Sequence, residues 1–305
     1  MQYQIYRLSF PNGVHFGDGN LDRSVYSFSA DTLFSSLYLE ALKAGQKTAD
    51  WFLQKVKEGS LLFSDAFPVI GDTYFLPKPI YSVRKEGADG DSVKKKEYKK
   101  LTHIPMDKLD IYMRGDLDPT EINERLKELG KAETKTSAAV SGKEDTLPYH
   151  VGEYRFHQDN GLFFVAALSD GGDSSALYDL IEALSFSGIG GKRTAGYGRF
   201  DIKAEKTIDA GPFEKNGGML MSLSISLPRN DEMERALADA SYQIRKRSGF
   251  VQSATYADVP NKKRDLFMLS AGSCFKNRFE GDVYDVSQGG AHPVYRYGKP
   301  LFWAL

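Results

Sequence analysis

Residues 219–227 read Met-Leu-Met-Ser-Leu-Ser-Ile-Ser-Leu, and that order leaves little choice of conformation. Met219, Met221, Leu223, Ile225 and Leu227 take every second position, with Ser222, Ser224 and Ser226 between them. A repeat of two puts the five apolar side chains on one side of an extended strand, whereas a helix would scatter them. The same alternation opens the chain, where Tyr6, Leu8 and Phe10 interleave with Arg7 and Ser9. Helical stripes lie between these strands. Leu33, Phe34, Leu37, Tyr38, Ala41 and Leu42 share one face after Ser29 as N-cap, and Gly45 marks the stop. A second helix is predicted from about Ser174 to Phe186, with Asp173 as cap and Leu177, Ile181 and Leu184 as its stripe. Residues 61–80 read as short strands and turns. Residues 149–169 predict a hairpin that turns at Gln158-Asp159-Asn160-Gly161, and Gly198 opens a further strand.

Residues 1–210 therefore run strand–helix–strands–helix–strand. After a linker-like stretch holding Gly211, Pro212, Gly217 and Gly218, residues 211–305 open strand–helix–strand. That order suits an α+β fold, with helices packed on one face of an antiparallel sheet. It lacks the long strand–helix alternation of a Rossmann or TIM architecture. Residues 84–147 interrupt the first unit with a stretch rich in Lys, Asp, Glu and Gly, including Lys94-Lys-Lys-Glu-Tyr-Lys-Lys100. They read as an insertion on the domain, partly mobile and dispensable for folding. One helix inside is well marked: Asp118 caps, Pro119 starts, Glu121 completes a capping box, and Ile122, Leu126 and Leu129 line one side.

Charge narrows the function classes. Of 305 residues, 40 are Lys or Arg and 41 Asp or Glu, for a net charge of −1. A free-standing nucleic-acid binder is usually basic. A near-neutral chain must hold nucleic acid through local patches, which leaves its other faces for protein neighbours. The single cysteine, Cys274, excludes an internal disulfide and a Cys-based zinc site, and fits a reducing cytoplasm. No run approaches the ~20 apolar residues of a membrane helix, and Met1–Phe10 reads as a strand and not as a signal peptide.

The most informative segment is Gly188-Ile-Gly-Gly-Lys-Arg-Thr-Ala-Gly-Tyr-Gly-Arg-Phe200. Gly188, Gly190, Gly191, Gly196 and Gly198 let backbone approach a ligand closely. Lys192, Arg193 and Arg199 supply positive charge and Tyr197 a stacking ring, a combination suited to phosphates and unstacked bases. A P-loop is excluded, because Arg193 follows Gly191-Lys192 and Phe186 stands at the first glycine position. The dinucleotide fingerprint fails as well, since Arg193 occupies its last glycine position. Three basic segments mark the second unit: Arg245-Lys-Arg247, Asn261-Lys-Lys-Arg264 and Phe275-Lys-Asn-Arg278. The five histidines show no metal spacing. Asp170-Gly-Gly-Asp173 has the letters of a palm-domain metal motif, but its setting, a turn running into a helix cap, gives the simpler account. No G-x-S-x-G elbow is present.

The loop GIGGKRTAGYGRF resembles the glycine-rich loop of the repeat-associated (RAMP) superfamily of CRISPR proteins. HFGDGNLD, FSADTLFSSLYLEAL, FSDAFPVIGDTYFLPKP, SGFVQSATYAD and KKRDLFMLSAGSCFKNRFEGDVYDVS resemble the family of fourth subunits of the Csm complex, the type III-A effector. The likeness spans nearly the whole chain apart from about 84–147. It implies two ferredoxin-like (RRM-like) domains and a cytoplasmic, non-catalytic subunit without cofactor or metal. Such a subunit binds the 5′ handle of the guide RNA, near the target RNA, and joins the large polymerase-like subunit to a backbone RAMP subunit. A thumb that wedges into the guide–target duplex would fall within 84–147. By position, the handle would meet Gly188, Gly190, Gly191, Lys192, Arg193, Thr194, Tyr197 and Arg199. From the second domain it would meet Arg247, Ser248, Gly249, Gln252 and Ser253, with Lys276 and Arg278 as further contacts. His15, in the loop after the first strand, would either touch RNA or, in the alternative reading, serve a metal-independent endoribonuclease that processes CRISPR transcripts. A protein scaffold without RNA contact is the third possibility, and the basic glycine loop speaks against it.

Overall fold

The computed structural model describes residues 1–17, 19–81, 92–139, 147–169, 174–215, 217–253 and 255–305. Asp170–Asp173, and with them the expected helix cap Asp173, lie outside the described residues. So do 84–91 and 140–146 of the expected mobile insertion.

The first half contains β1 (Gln2–Ser9), α1 (Ala30–Ala44), α2 (Gln46–Lys57), β2 (Leu61–Phe63), β3 (Phe67–Ile70), β4 (Thr73–Pro77), α3 (Ser92–Lys100), β5 (His103–Pro105), α4 (Leu109–Met113), α5 (Pro119–Lys127), β6 (Gly130–Ala139), β7 (Leu147–Phe156), β8 (Gly161–Leu168), α6 (Ser174–Ser187) and β9 (Asp201–Ile208). The second half adds α7 (Gly211–Glu214), β10 (Leu220–Ser222), α8 (Met233–Leu237), β11 (Ile244–Arg247), β12 (Leu266–Leu269), β13 (Cys274–Phe275), β14 (Val283–Asp285), β15 (Tyr295–Tyr297) and β16 (Phe302–Ala304).

One antiparallel sheet organises the first half, in the order β5-β4-β3-β8-β1-β9, with β2 also paired to β8. The sequence of β8, GLFFVAAL, explains its central place: all eight residues are buried, and no polar side chain needs solvent. Tyr6 of β1 lies opposite Phe164 of β8, with their rings stacked at 5.2 Å. Helices α1 and α6 pack side by side, so Phe34, Leu37, Leu177 and Ile181 join the core of the sheet. The α1 cap is supplied from afar. Ser29 holds the cap position without a side-chain bond, and the Asp65 carboxylate accepts the Ala30 N–H at 2.8 Å instead.

Two expectations are revised. The hairpin read at 149–169 is not one ladder: β7 pairs with β6 over ten residues in register, from Gly130↔Phe156 to Ala139↔Leu147, while β8 enters the main sheet. The insertion is not peripheral throughout. β5 pairs with β4, and Leu101, Ile104, Leu109, Tyr112, Leu117, Ile122 and Leu129 are buried in the main core. A linker replacing 84–147 would remove those seven side chains. Asp118 does cap α5, accepting the Thr120 N–H at 2.9 Å, but Glu121 turns to Lys108 at 3.1 Å and the reciprocal half of the box is missing.

Residues 219–227 also differ from a strand with one wet face. Only 220–222 lie in a strand, between β13 and β16, and Ser222, Ser224 and Ser226 are fully buried. The segment runs along the seam between the halves. Ser224 donates to the Phe63 carbonyl at 2.6 Å, and the Ile225 N–H donates to Asp65 at 2.8 Å. Ser222 and Ser224 donate to backbone carbonyls that an apolar residue would leave unpaired, whereas the buried Ser226 hydroxyl has no partner among the described residues. The core is continuous across this seam: Leu223, Ile225, Tyr297 and Trp303 cluster with Phe34 and Phe63.

Candidate nucleic-acid interface

The glycine loop leaves the end of α6 through Gly188, at φ +76°, whose N–H donates to the Leu184 carbonyl at 2.7 Å. Its backbone then locks onto the segment after β1. Gly191 N–H donates to the His15 carbonyl at 2.9 Å and Gly198 N–H to that of Gly13 at 3.0 Å, while Ile189 N–H closes the loop on Gly198 at 2.9 Å. Gly198 sits at φ +74°, and a Cβ there would lie 1.9 Å from the Ile189 oxygen. Gly188, Gly190, Gly191 and Gly198 thus serve close packing within the protein, and the amides of Gly188, Gly191 and Gly198 are not free for a phosphate. The side chains are what the loop presents outward. Arg199 and Thr194 are exposed, Lys192 and Arg193 half-buried, and among the described residues Arg193 and Arg199 have no carboxylate partner. Lys192, in the left-handed region at φ 56°, sets its ammonium 5.0 Å from the Tyr149 ring centroid on β7.

Three segments interlock beneath these cations: the loop after β1, the base of the β6–β7 ribbon and the glycine loop. Val14 and Tyr154 exchange both backbone bonds at 2.9 Å, and Gly152 N–H donates to Leu21 at 2.9 Å. A Cβ on Gly152 would come within 2.5 Å of the Arg23 backbone, which brings the exposed Arg23 beside the ribbon. His15 sits at the centre, 7% exposed, with Nδ1 2.6 Å from the Gly152 carbonyl. A carbonyl only accepts, so Nδ1 carries the proton. The imidazole wedges between ribbon and loop.

Tyr197 is likewise not an open stacking ring. It is buried, and its hydroxyl donates to Glu153. Burial first, then that bond and the Glu153 charge, push its pKa up to about 12. Burial alone would raise the Glu153 carboxyl, but the bonds from Tyr197 and Arg155, the latter at 2.7 Å, outweigh it and hold it below the usual carboxylate range.

The second basic region is differently engaged. Arg247 meets Asp31 with two bonds of 2.8 Å and Arg296 adds a third at 2.6 Å, while Arg296 also donates to the Ser248 carbonyl at 3.2 Å. Asp31 is 2% exposed. Its burial would raise the carboxyl, but the two guanidiniums hold it below the ordinary range. Lys246 pairs with Asp265 at 2.7 Å and Lys276 with Asp239 at 2.9 Å. Arg278 donates to the Phe213 carbonyl at 2.6 Å and that of Lys215 at 3.1 Å, which caps α7. Ser253 bonds His292 Nε2 at 2.8 Å, the Gly249 carbonyl accepts the Lys263 N–H at 2.8 Å, and Gln252 is exposed. Of the residues expected to meet RNA in this region, Arg247 and Arg278 are tied to the protein, whereas Ser248, Gly249, Gln252 and Lys276 are exposed. The sequence reading missed Arg23 and Tyr149. Arg23 directly follows the HFGDGNLD segment, a local signal, whereas Tyr149 meets Lys192 only through the fold.

Among the described residues, no group of three His, Cys, Asp or Glu is placed to hold a metal ion. No helix among them is long and apolar enough to cross a membrane.

The family model of the CRISPR Csm4 C-terminal domain matches residues 215–305. Over 306 aligned residues the chain is 40% identical to the CRISPR system Cms protein Csm4 of Mycobacterium tuberculosis (strain ATCC 25618 / H37Rv), covering 100% of this chain and 98% of that protein. It is 35% identical to the Csm4 of Streptococcus thermophilus, covering 100% of this chain and 99% of that one. Among solved structures, a chain of the Csm3–Csm4 subcomplex in the type III-A CRISPR-Cas interference complex superposes with a TM-score of 0.65 at 17% identity, covering 100% and 99% of the two chains. A chain of the Csm1–Csm4 cassette in complex with pppApA gives 0.61 at 19% identity, covering 100% and 98%. At those identities the superpositions establish the fold, a mixed α/β architecture of antiparallel sheets. The full-length identities establish the lineage: the chain belongs to the Csm4 family, RAMP subunits of the type III-A CRISPR effector.

Proposed function

We propose that this chain is a non-catalytic subunit that grips the 5′ handle of a guide RNA across the glycine loop. The observation that carries the proposal is the set of free cations there. Lys192, Arg193 and Arg199 stand on a loop whose backbone is fixed by internal bonds, and they have no carboxylate partner among the described residues. A pre-positioned, uncompensated cation cluster is what a phosphate backbone requires. The β6–β7 ribbon, anchored beside it, is the element we assign to the guide–target duplex. Central strands ordered β9-β1-β8-β3 are fourth, first, third and second in the strand–helix–strand–strand–helix–strand series, which supports a ferredoxin-like first domain. We take the second half as its degenerate counterpart. Relatives solved together with Csm3 or with Csm1 support a place between the backbone subunit and the large subunit.

The test is a salt titration of guide binding in the assembled complex. Removing one cation from a single-strand phosphate flattens log K against log salt by roughly 0.7, so Lys192→Ala with Arg193→Ala should lower the slope by about 1.4. An unchanged slope and affinity would remove the loop from the interface. Non-catalysis is checked with repeat RNA, with and without EDTA. Specific cleavage that His15→Ala abolishes would install the endoribonuclease instead.

A further inference from the structure

The β6–β7 ribbon has to hold its direction over a long reach. Its register pairs begin at Gly130↔Phe156, and from Glu133↔Glu153 six further pairs lead to Ala139↔Leu147. At about 3.3 Å per residue those six steps span roughly 20 Å. A slack of ~10° at the base would swing the far end by roughly 3–4 Å, about the spacing of successive nucleotides along a strand. The bonds from the base to the loop after β1 do not remove that slack. Val14 and Tyr154 exchange two at 2.9 Å, Gly152 N–H donates to Leu21 at 2.9 Å, and the Gly152 carbonyl accepts from His15. All of them meet β7, within three consecutive residues, and bonds along one strand leave rotation about that strand open.

Between those anchors stands Glu153, 3% exposed and directly opposite Glu133. Two acids facing each other across a ladder repel, and burying one of them costs more than an apolar residue would. Arg155 offsets the repulsion, with Nε 2.7 Å from Glu153 and 3.6 Å from Glu133, and Lys131 adds a second cation on Glu133. The other Glu153 oxygen accepts the Tyr197 hydroxyl. Among the described residues this is the one hydrogen bond that joins ribbon to glycine loop directly, and beside it the Lys192 ammonium stands 5.0 Å from the Tyr149 ring centroid. Tyr197 is a rigid anchor, because the backbone at Gly198 is bonded to both Gly13 and Ile189. An apolar contact at this point would slide with the ribbon, whereas a hydrogen bond to a buried carboxylate is lost outside a narrow geometry. The costly residue at 153 therefore contributes direction, at the place where direction is otherwise free.

We propose that Glu153 and Tyr197 are positioning residues that fix the angle of the ribbon to the glycine loop. Its consequence for RNA rests on the assignment of the loop to the guide and of the ribbon to the guide–target duplex. The angle is read in the assembled complex by pulsed electron-spin distances between labels on Ala138→Cys of the ribbon and Lys47→Cys of α2. Both positions are exposed, and Cys274, the one natural cysteine, is buried. The natural sequence at 153 and 197 should give one narrow distance peak. Tyr197→Phe keeps the buried ring and removes only the hydroxyl, and it should broaden the peak about twofold. Glu153→Ala should broaden it as much, the two together no further, because they break one bond. Glu153→Gln keeps an oxygen for the Tyr197 hydroxyl and should restore the narrow peak. The same complexes are then read with 2-aminopurine at successive target positions. A ribbon held at one angle brightens one position, and in Tyr197→Phe the signal should spread to its neighbours, lowering the contrast about threefold. Guide affinity and its salt slope should not change. A merely structural pair would lower the thermal melt and leave peak width and fluorescence pattern alone. Equal widths in the natural, Tyr197→Phe and Glu153→Ala complexes overturn the proposal. So does a loss of guide affinity in Tyr197→Phe at unchanged width, which would make Tyr197 part of the guide grip. Broadening without a bright target position in any complex upholds the positioning of the ribbon and overturns its assignment to the duplex.

Discussion

The glycine loop and the Arg245–Ser253 segment look alike as sequence: each sets arginines and lysines beside glycine and an aromatic residue. Apart from the exposed Arg245, their charges are in opposite states. On the loop, Arg193 and Arg199 lack carboxylate partners among the described residues. In the second region Arg247 is one of two guanidiniums on the buried Asp31, and Lys246 and Lys276 are in ion pairs. A cation already satisfied by its own protein has little to offer a phosphate, and withdrawing it would strand a buried carboxylate. Local composition therefore reports where basic residues are, and the partner decides what they do.

The largest effect that would test this contrast is at Asp31. Asp31→Ala leaves two inward guanidiniums uncompensated and should cost about 3–5 kcal/mol in urea unfolding. A loss below 1 kcal/mol would mean that Arg247 is free to serve RNA after all. Next comes Asp65, whose carboxyl burial pushes up to about 7. Its unfolded value is about 3.9, so the folded chain binds the extra proton between those values. The stability this supplies is complete below the unfolded pKa and is lost as pH rises through 7. Asp65→Asn keeps an oxygen for both amide donors and does not titrate. Its advantage over the natural chain should grow to on the order of 4 kcal/mol above pH 7 and vanish below about pH 4. Parallel melts at pH 5 and pH 8 that showed the same difference would refute the assignment.

Within the loop, two alanine substitutions sharpen the comparison. Gly198→Ala combines the left-handed penalty with a collision against the Ile189 oxygen and should cost about 2–4 kcal/mol. Gly196 has φ +87° with nothing within 4 Å of a built Cβ, so Gly196→Ala should cost only about 1 kcal/mol. Equal costs would show that the loop does not hold the packed form described. The smallest effect is the most diagnostic. Lys192→Ala with Arg193→Ala should leave stability within about 0.5 kcal/mol while the salt slope of guide binding falls, the reverse of what Asp31→Ala does.

The sequence by itself determined the local elements and the family. Alternation found β1, helical stripes found α1 and α6, and the Asp118-Pro119 pair found the start of α5. Those signals are legible because strand and helix periods are set by neighbours a few residues away. The glycine loop was found as a site candidate by composition alone, but the reason for Gly190 and Gly191 was not, since the atoms they make room for belong to His15 and Phe16. Only the tertiary structure decided which ladder β7 joins, that Ser222, Ser224 and Ser226 are dry, that Tyr197 is tied to Glu153, and that Arg247 meets Asp31 across 216 residues of sequence. Each of these turns on a partner remote in sequence. A side chain's period records which way it points, whereas its charge and hydrogen bonds are settled by what the fold brings opposite it.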